Sequence, residues 1–276
     1  MTTFTSNTAA PDVVVVTGAG GMGQAIVRRI ANGRTIVLAD VDDAHLNAVA
    51  DGLRLEGHTI ETVRVDVSSR DDVTALARTA ADLGAVRCVV HTAGVSPVQA
   101  TTAQIMAVDV LGTSLLLDAF EPYVQRGTVA VCIASMAGSM TDLPPDAVRL
   151  LGSTPTDELL GLDVLDPSCD PGLAYGIAKR ANQARVEAAS IPWGRRGGRV
   201  VSISPGVIST PMGASELAGP HGDFMRTMVD MSGSGRLGTA DDIAAAVEFL
   251  TSAAASFITG TDIRVDGGAV AAVRNA

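Results

Sequence analysis

Apolar and polar positions along this chain alternate between two textures. Short runs of β-branched residues are separated by longer Ala-rich stretches in which apolar residues recur every three or four positions. The runs Val13–Thr17, Thr35–Ala39, Thr59–Val65, Val86–His91, Thr128–Ala134, Arg199–Ser204 and Thr261–Val265 predict strands. Several are nearly continuous Val and Ile, the pattern of parallel strands covered on both faces. Between them, Met22–Ala31, Asp43–Leu53, Asp71–Asp82, Thr102–Phe120, Ala174–Ser190 and Thr239–Thr251 predict helices. Ser69 precedes Asp71 and Asp72, and Thr239 precedes Asp241 and Asp242; both carry N-cap chemistry. The alternation predicts an α/β fold: one doubly wound domain with a mostly parallel, seven-stranded sheet flanked by helices.

Nothing in the 276 residues divides the chain: there is no internal repeat and no linker. Two stretches break the alternation. Ser139–Gly172 is rich in proline and acidic residues, and Met212–Arg236 in Gly and Met. Long irregular segments in a compact domain are commonly functional. Residues 139–172 are therefore expected to be an insertion near the active site, and residues 207–236 a substrate lid.

Composition narrows the function classes. The chain is 47% hydrophobic and 18% charged, which excludes disorder, collagen and coiled coil. A net charge of −10 leaves no basic footprint for nucleic acid. Cys88, Cys132 and Cys169 have no C-x-x-C spacing, and His45, His58, His91 and His221 are scattered, so no metal site is expected. Met1–Asp12 has neither the basic nor the apolar region of a signal peptide, and the apolar runs are short. A cytoplasmic protein without a membrane partner is expected.

Two motifs carry chemistry. The first strand ends in Thr17-Gly18-Ala19-Gly20-Gly21-Met22-Gly23, where Gly18, Gly20 and Gly23 fit G-x-G-x-x-G ahead of a helix. Such glycines let backbone approach a pyrophosphate at the positive end of a helix dipole. Asp40 ends the second strand, 22 residues after Gly18, placed to accept from ribose hydroxyls and to repel a 2′-phosphate. That favours NAD over NADP. The second motif is Tyr175-Gly-Ile-Ala-Lys179, whose spacing puts both side chains on one helical face. Lys179 is the only lysine in the chain. An ammonium there would favour tyrosinate, making Tyr175 a candidate acid/base for a carbinol proton.

The Gly-rich turn, Asp40, His91-Thr92-Ala93-Gly94, Ser135, Tyr175 with Lys179, Ser204-Pro205-Gly206 and Val265-Asp266-Gly267-Gly268 fall in an order that resembles the short-chain dehydrogenase/reductase family. The resemblance covers roughly residues 12 to 270. It implies a Rossmann-type domain, a bound nicotinamide dinucleotide and reversible hydride transfer between an alcohol and a carbonyl. By position, Ser135 matches the serine on the substrate oxygen, Tyr175 the acid/base, and Lys179 the residue that holds the nicotinamide ribose and lowers the tyrosine pKa. Gly18, Gly20, Gly21, Met22 and Gly23 match the diphosphate turn, and Asp66 and Val67 the pair beside the adenine. Ala93 and Gly94 match the turn near the cofactor. Pro205, Gly206, Val207 and Thr210 match the segment facing the nicotinamide carboxamide and diphosphate. His91 stands where the family usually has Asn and is expected to brace the backbone.

The chain also departs from the family. The glycine loop is one residue shorter than T-G-x-x-x-G-x-G. The family's catalytic Asn aligns with Asp109, which would bring a charge and could pair with Lys179 or turn away. Forty positions separate Ser135 from Tyr175, more than the family commonly has. Met136, Met140, Leu143, Met212, Leu217, Phe224, Met225 and Met228 fall near the expected mouth and suit an irregular hydrophobic ligand. The implied substrate is a hydrophobic secondary alcohol or ketone, a hydroxysteroid-like one among them. The alternatives are an NADPH-dependent carbonyl or ketoacyl reductase, or a non-catalytic dinucleotide sensor. The resemblance also implies a homodimer or homotetramer, for which Leu111–Phe120 and Ala174–Ser190 are apolar enough, unless they are core.

Overall fold

The structure, a computed structural model, describes residues 11–276; residues 1–10, most of the stretch read as lacking a signal peptide, lie outside the described residues. Strands β1 (Asp12–Thr17), β2 (Thr35–Asp40), β3 (Thr59–Arg64), β4 (Ala85–His91), β5 (Val129–Ile133) and β6 (Arg199–Pro205) join β9 (Thr261–Val265) in one sheet. β7 (Ile208–Ser209) and β8 (Gly238–Thr239) form a separate short pair. The order of the large sheet is β3-β2-β1-β4-β5-β6-β9. Every neighbour is parallel, so all seven expected strands are present.

The Val13–Val16 run shows why such strands carry no polar face. Val14 and Val16 pack on one side with Ile26 of α1 (Gly21–Ile30) and Leu46 of α2 (Asp43–Leu55). Val13 and Val15 pack on the other with Leu76 of α3 (Arg70–Leu83). Both faces are dry, so alternation of side chains yields no alternation of polarity. The expected caps form: Ser69 Oγ accepts from Asp72 N at 3.3 Å, and Thr239 closes a capping box with Asp242.

The stretch Thr102–Phe120, expected as one α-helix, is interrupted. It runs as α4 (Thr102–Ile105), a π-helical turn Met106–Leu111, and α5 (Gly112–Phe120). A π turn inserts one residue into the helical repeat and is frequent at functional sites; here it carries Asp109. The helix Thr102–Tyr123 is long and apolar enough to cross a membrane, with a mean hydropathy of 1.4, but 61% of its apolar window is buried inside the fold. Leu115, Leu116, Leu117 and Phe120 are buried in the core of their own chain, so that stripe is not free to bind a second copy.

The two irregular segments fold into helices. After α6 (Met136–Met140) come α7 (Pro145–Ser153) and a 3-10 turn, Thr156–Gly161. Leu151, Leu159 and Leu165 bury against Ile105, Met106 and Val110 and against Ile177 and Ala181 of α8 (Pro171–Arg195). Residues 139–172 thus form a core layer behind the π turn. Further on, α9 (Pro211–Ala218) and α10 (Gly222–Met231) occupy the second segment, where Met228 packs with Met136 and Val207. Helix α11 (Ala240–Thr251) covers the sheet and α12 (Ala269–Arg274) ends the chain.

Glycine sets the closest approach in this layout. A Cβ on Gly138 of α6 would stand 2.6 Å from the Lys179 carbonyl carbon and 2.7 Å from Arg180 N, both backbone atoms of α8. Neither can yield without moving a helix. Gly138→Ala is expected to cost about 1–3 kcal/mol by overpacking. Gly194→Ala, whose Cβ meets nothing within 4 Å, is expected to be neutral or to stabilise by up to about 1 kcal/mol. Urea unfolding of the two variants checks this; equal stabilities would show that α6 and α8 are not in tight contact.

Candidate active site

At the carboxyl ends of β1 and β4 the sheet reverses its winding order, where a crevice opens in such folds. The Gly-rich turn lies there. Gly18 has a φ of 90° and donates its N–H to Ala39 O at 2.7 Å. A Cβ on Gly23 would fall 2.0 Å from Gly18 O, so only glycine lets α1 start against the turn. Helix α1 begins without a side-chain cap and without an acidic residue in its first turn, which leaves its N-terminal N–H groups for an anion. The shortened loop therefore retains the features a diphosphate needs.

Two strands brace this turn. Asp40 Oδ2 accepts from Ala19 N at 2.7 Å, and Oδ1 from Asp42 N at 3.1 Å. Each oxygen of Asp40 can accept a further hydrogen bond, and Asp40 lines the cleft. Thr92 Oγ1 donates to Thr17 O at 2.8 Å, and His91 Nδ1 meets Thr17 Oγ1 at 2.7 Å. Burial pushes the His91 imidazole down to about 3, so it is neutral and braces. The resulting cleft, of about 620 Å³, is lined by Gly18, Gly20, Gly21, Met22, Gly23, Asp40, Asp66, Val67, Ala93, Gly94 and Thr210. It is also lined by Thr92 and Met212, and by His45, Ser68 and Gln104, which no motif in the sequence marked. His45 had a local signal: its backbone N–H is capped by Asp42, which turns α2 so that His45 Nε2 reaches Ala19 O at 3.2 Å.

A second cavity, of about 460 Å³, adjoins the first, with Met22, Thr210 and Met212 lining both. Ser135 and Tyr175 line it, as do Pro205 and Gly206. Ser135 reaches it as the N-cap of α6, its Oγ accepting from Ala137 N at 3.2 Å. Val207 lines neither space; its side chain is buried among Met136 and Met228. Of the expected mouth residues, Met136, Met140, Met212, Phe224, Met225 and Met228 line the second cavity. Leu143 and Leu217 do not; they pack into the core layers behind it.

Behind Tyr175, Lys179 and Asp109 meet. Lys179 Nζ is 3.6 Å from Asp109 Oδ1, with side-chain exposures of 6% and 0%, and 5.3 Å from the Tyr175 ring centroid. Asp109 Oδ1 also accepts from Val95 N at 3.1 Å, while Oδ2 has no partner. Thr113 Oγ1 donates to the Asp109 carbonyl at 2.8 Å, and the Asn182 amide, with its nitrogen turned inward, reaches the same oxygen at 2.7 Å. A Cβ on Gly94 would stand 2.8 Å from Asp109 Oδ1 and 3.2 Å from Lys179 Nζ, so the pair needs glycine there. Asp109 thus turns inward to the lysine.

This pairing changes the electrostatics expected from the Tyr-Lys spacing. Burial pushes the Tyr175 phenol well above its ordinary value; the Asp109 and Glu216 carboxylates push the same way, and the Ser135 hydroxyl opposes them. Lys179, expected to lower that value, is engaged by Asp109. Burial likewise raises the Asp109 carboxyl, against the pull of Lys179 and the Val95 N–H. The free site therefore holds a protonated phenol.

Comparison with known proteins decides the class. Residues 12–143 match the sequence model described as short chain dehydrogenase, and residues 167–270 the one described as enoyl-(acyl carrier protein) reductase. The chain is 37% identical over 261 residues to a short-chain dehydrogenase/reductase, bsc3, of Alternaria brassicicola, covering 94% of this chain and 95% of that one. The chain belongs to the short-chain dehydrogenase/reductase family. Among other members, galactitol 2-dehydrogenase (L-tagatose-forming) of Cereibacter sphaeroides is 31% identical, with 92% of each chain covered. A solved 7α-hydroxysteroid dehydrogenase complexed with NADH and 7-oxo glycochenodeoxycholic acid superposes with a TM-score of 0.75 at 25% identity, covering 96% of this chain and 98% of that one. As a short-chain dehydrogenase/reductase, the protein is an oxidoreductase that uses NAD or NADP on a small-molecule alcohol or carbonyl.

Proposed function

We propose that this short-chain dehydrogenase/reductase uses NAD(H) to interconvert a secondary alcohol and its ketone, on a substrate with a largely hydrophobic body. One observation carries the reading: Ser135 and Tyr175 line a single cavity that opens into the cleft built by the Gly-rich turn and Asp40. The uncapped start of α1 would hold the diphosphate, Asp40 the adenosine ribose, Asp66 and Val67 the adenine, and Lys179 the nicotinamide ribose. Ala93, Gly94, Pro205, Gly206 and Thr210 would flank the nicotinamide. Asp40 favours NAD because a 2′-phosphate beside its carboxylate would be repelled. The nicotinamide ring, when bound, exchanges the hydride with the substrate carbon.

The chain's own groups then handle one oxygen and one proton. Ser135 and Tyr175 hydrogen-bond the substrate oxygen and stabilise alkoxide character as it develops. In ketone reduction the protonated phenol is already the competent form and gives its proton to that oxygen. In alcohol oxidation Tyr175 must first lose the proton, and Asp109 resists this by adding negative potential and by neutralising Lys179. The helices of residues 207–236 act as the lid, and the methionines of the cavity fit an irregular apolar surface. The steroid complex of one structural neighbour supports that substrate character, and its NADH the cofactor reading.

Three variants test this. Tyr175→Phe is expected to lower kcat by about 10²–10⁴-fold while NADH still binds, as followed by nicotinamide fluorescence; unchanged turnover would remove Tyr175 from the chemistry. Asp40→Ala is expected to narrow the NAD over NADP preference in kcat/KM, and an unchanged ratio would place cofactor choice elsewhere. Asp109→Asn removes a negative charge near the phenol and frees Lys179, both of which lower the Tyr175 pKa. The rise of kcat/KM with pH in alcohol oxidation is therefore expected at lower pH than in the wild type. A pH–rate profile that does not move would uncouple Asp109 from the acid/base.

A further inference from the structure

The substrate cavity is apolar except at a few points, and one of those has no role in the chemistry above. Glu216 stands on the lid helix α9, whose N-cap Thr210 accepts from Gly213 N at 3.1 Å. Its side chain lines the same cavity as Ser135 and Tyr175. The arginines and the lysine of this region are engaged elsewhere, and His221, which lines the same cavity, makes no hydrogen bond to it. Arg226 holds Asp223 at 2.7 Å and Leu217 O at 2.9 Å, Arg236 holds Asp242 at 2.8 Å, and Lys179 is beside Asp109. Among the described residues, no side chain or backbone N–H hydrogen-bonds the Glu216 carboxylate.

A carboxylate partly removed from water without a partner is costly unless something else supplies the hydrogen bond. Burial raises the Glu216 carboxyl, with Lys179 opposing. Glu216 and Tyr175 line one cavity, and the Glu216 charge raises the Tyr175 phenol. Much of the remaining lining is apolar, with Met136, Met212, Phe224 and Met225, while Asp170 and His221 add polar groups. A purely apolar ligand filling this cavity would strip water from the carboxylate and return nothing. A ligand carboxylate would add like-charge repulsion.

We propose that Glu216 is a specificity-determining residue, and that the substrate carries, beyond the reacting carbinol or carbonyl, a second hydrogen-bond donor (a hydroxyl or an ammonium group) that the Glu216 carboxylate accepts. This rests on the dehydrogenase reading and refines it: the substrate is an amphiphile, apolar against the methionines and polar at the end that meets α9. It also turns the lid into a reader of the substrate, because α9 gains its missing hydrogen-bond partner only when a donor-bearing ligand fills the cavity.

The test measures kcat/KM for oxidation of cyclohexanol and of its para-hydroxy, para-amino and para-carboxy derivatives by the wild type, Glu216→Gln and Glu216→Leu, with NAD+ and with NADP+. The wild type is expected to prefer the hydroxy or amino derivative over cyclohexanol by about 10- to 100-fold, and to handle the carboxy derivative worst. The larger of the two preferences identifies the donor as hydroxyl or ammonium. Glu216→Leu is expected to erase the preference and relax the carboxy penalty, and Glu216→Gln to retain part of any hydroxyl preference while losing an ammonium one. Equal substrate ratios in the wild type and Glu216→Leu would overturn the role of Glu216 while leaving the dehydrogenase intact. Absence of NADH and NADPH formation from every probe in the wild type would overturn the dehydrogenase reading and this inference with it.

Discussion

A single buried ammonium organises the centre of this molecule. Lys179 and Asp109 sit 3.6 Å apart with almost no exposure, and each is tolerable there only because of the other. Such a pair adds little net stability against an apolar replacement, but losing one partner strands the other charge at a cost of about 3–5 kcal/mol. The pair therefore fixes geometry more than it stabilises. It ties three separate pieces of chain together: the turn after β4 through Val95 N, the π turn through Asp109, and α8 through Lys179. Gly94 leaves the space that the pair fills.

The insertion belongs to the same arrangement. Residues 139–172 leave the sheet after Ser135 and return before Tyr175, and in between their leucines bury against the π turn and α8. Arg185 of α8 holds the segment by donating to Gly152 O at 3.3 Å and Thr154 O at 2.5 Å. The ends of the segment reach the cavity lined by Ser135 and Tyr175 at Met140, Asp170 and Gly172. Its middle buttresses the π turn and α8, the helix that carries both Tyr175 and Lys179. A long excursion between two residues that line one cavity is thus compatible with a rigid site, because the excursion packs behind it.

The electrostatic consequence is a site biased toward the protonated phenol. Burial, Asp109 and Glu216 act in one direction on Tyr175, and Ser135 acts in the other. Two carboxylates near a phenol keep its proton in place and make that proton harder to remove, so whatever reduces their negative potential eases its loss. Paired Asp109 and unpaired Glu216 differ in this respect: the first is balanced by the chain, while the second waits for a donor from outside.

Much of the fold was legible in the sequence, because it rests on short-range rules. Continuous Val and Ile mark strands dry on both faces, Ala-rich stretches of helical period mark their covers, and Ser69 and Thr239 mark helix starts. Glycines at a strand end and a Tyr-Lys spacing of one turn likewise name their chemistry locally. What the sequence could not show depends on distances through space. The π turn is one extra residue in a helix whose apolar pattern continues unbroken. The burial of the α5 stripe depends on what lies across from it, as does the helical packing of the proline-rich insertion. Whether Asp109 turns toward Lys179, and whether Glu216 finds a cation, depends on which side chains converge from distant elements. Local periodicity fixes how a residue sits on its own element; the electrostatic field it feels is a sum over neighbours that only folding brings near.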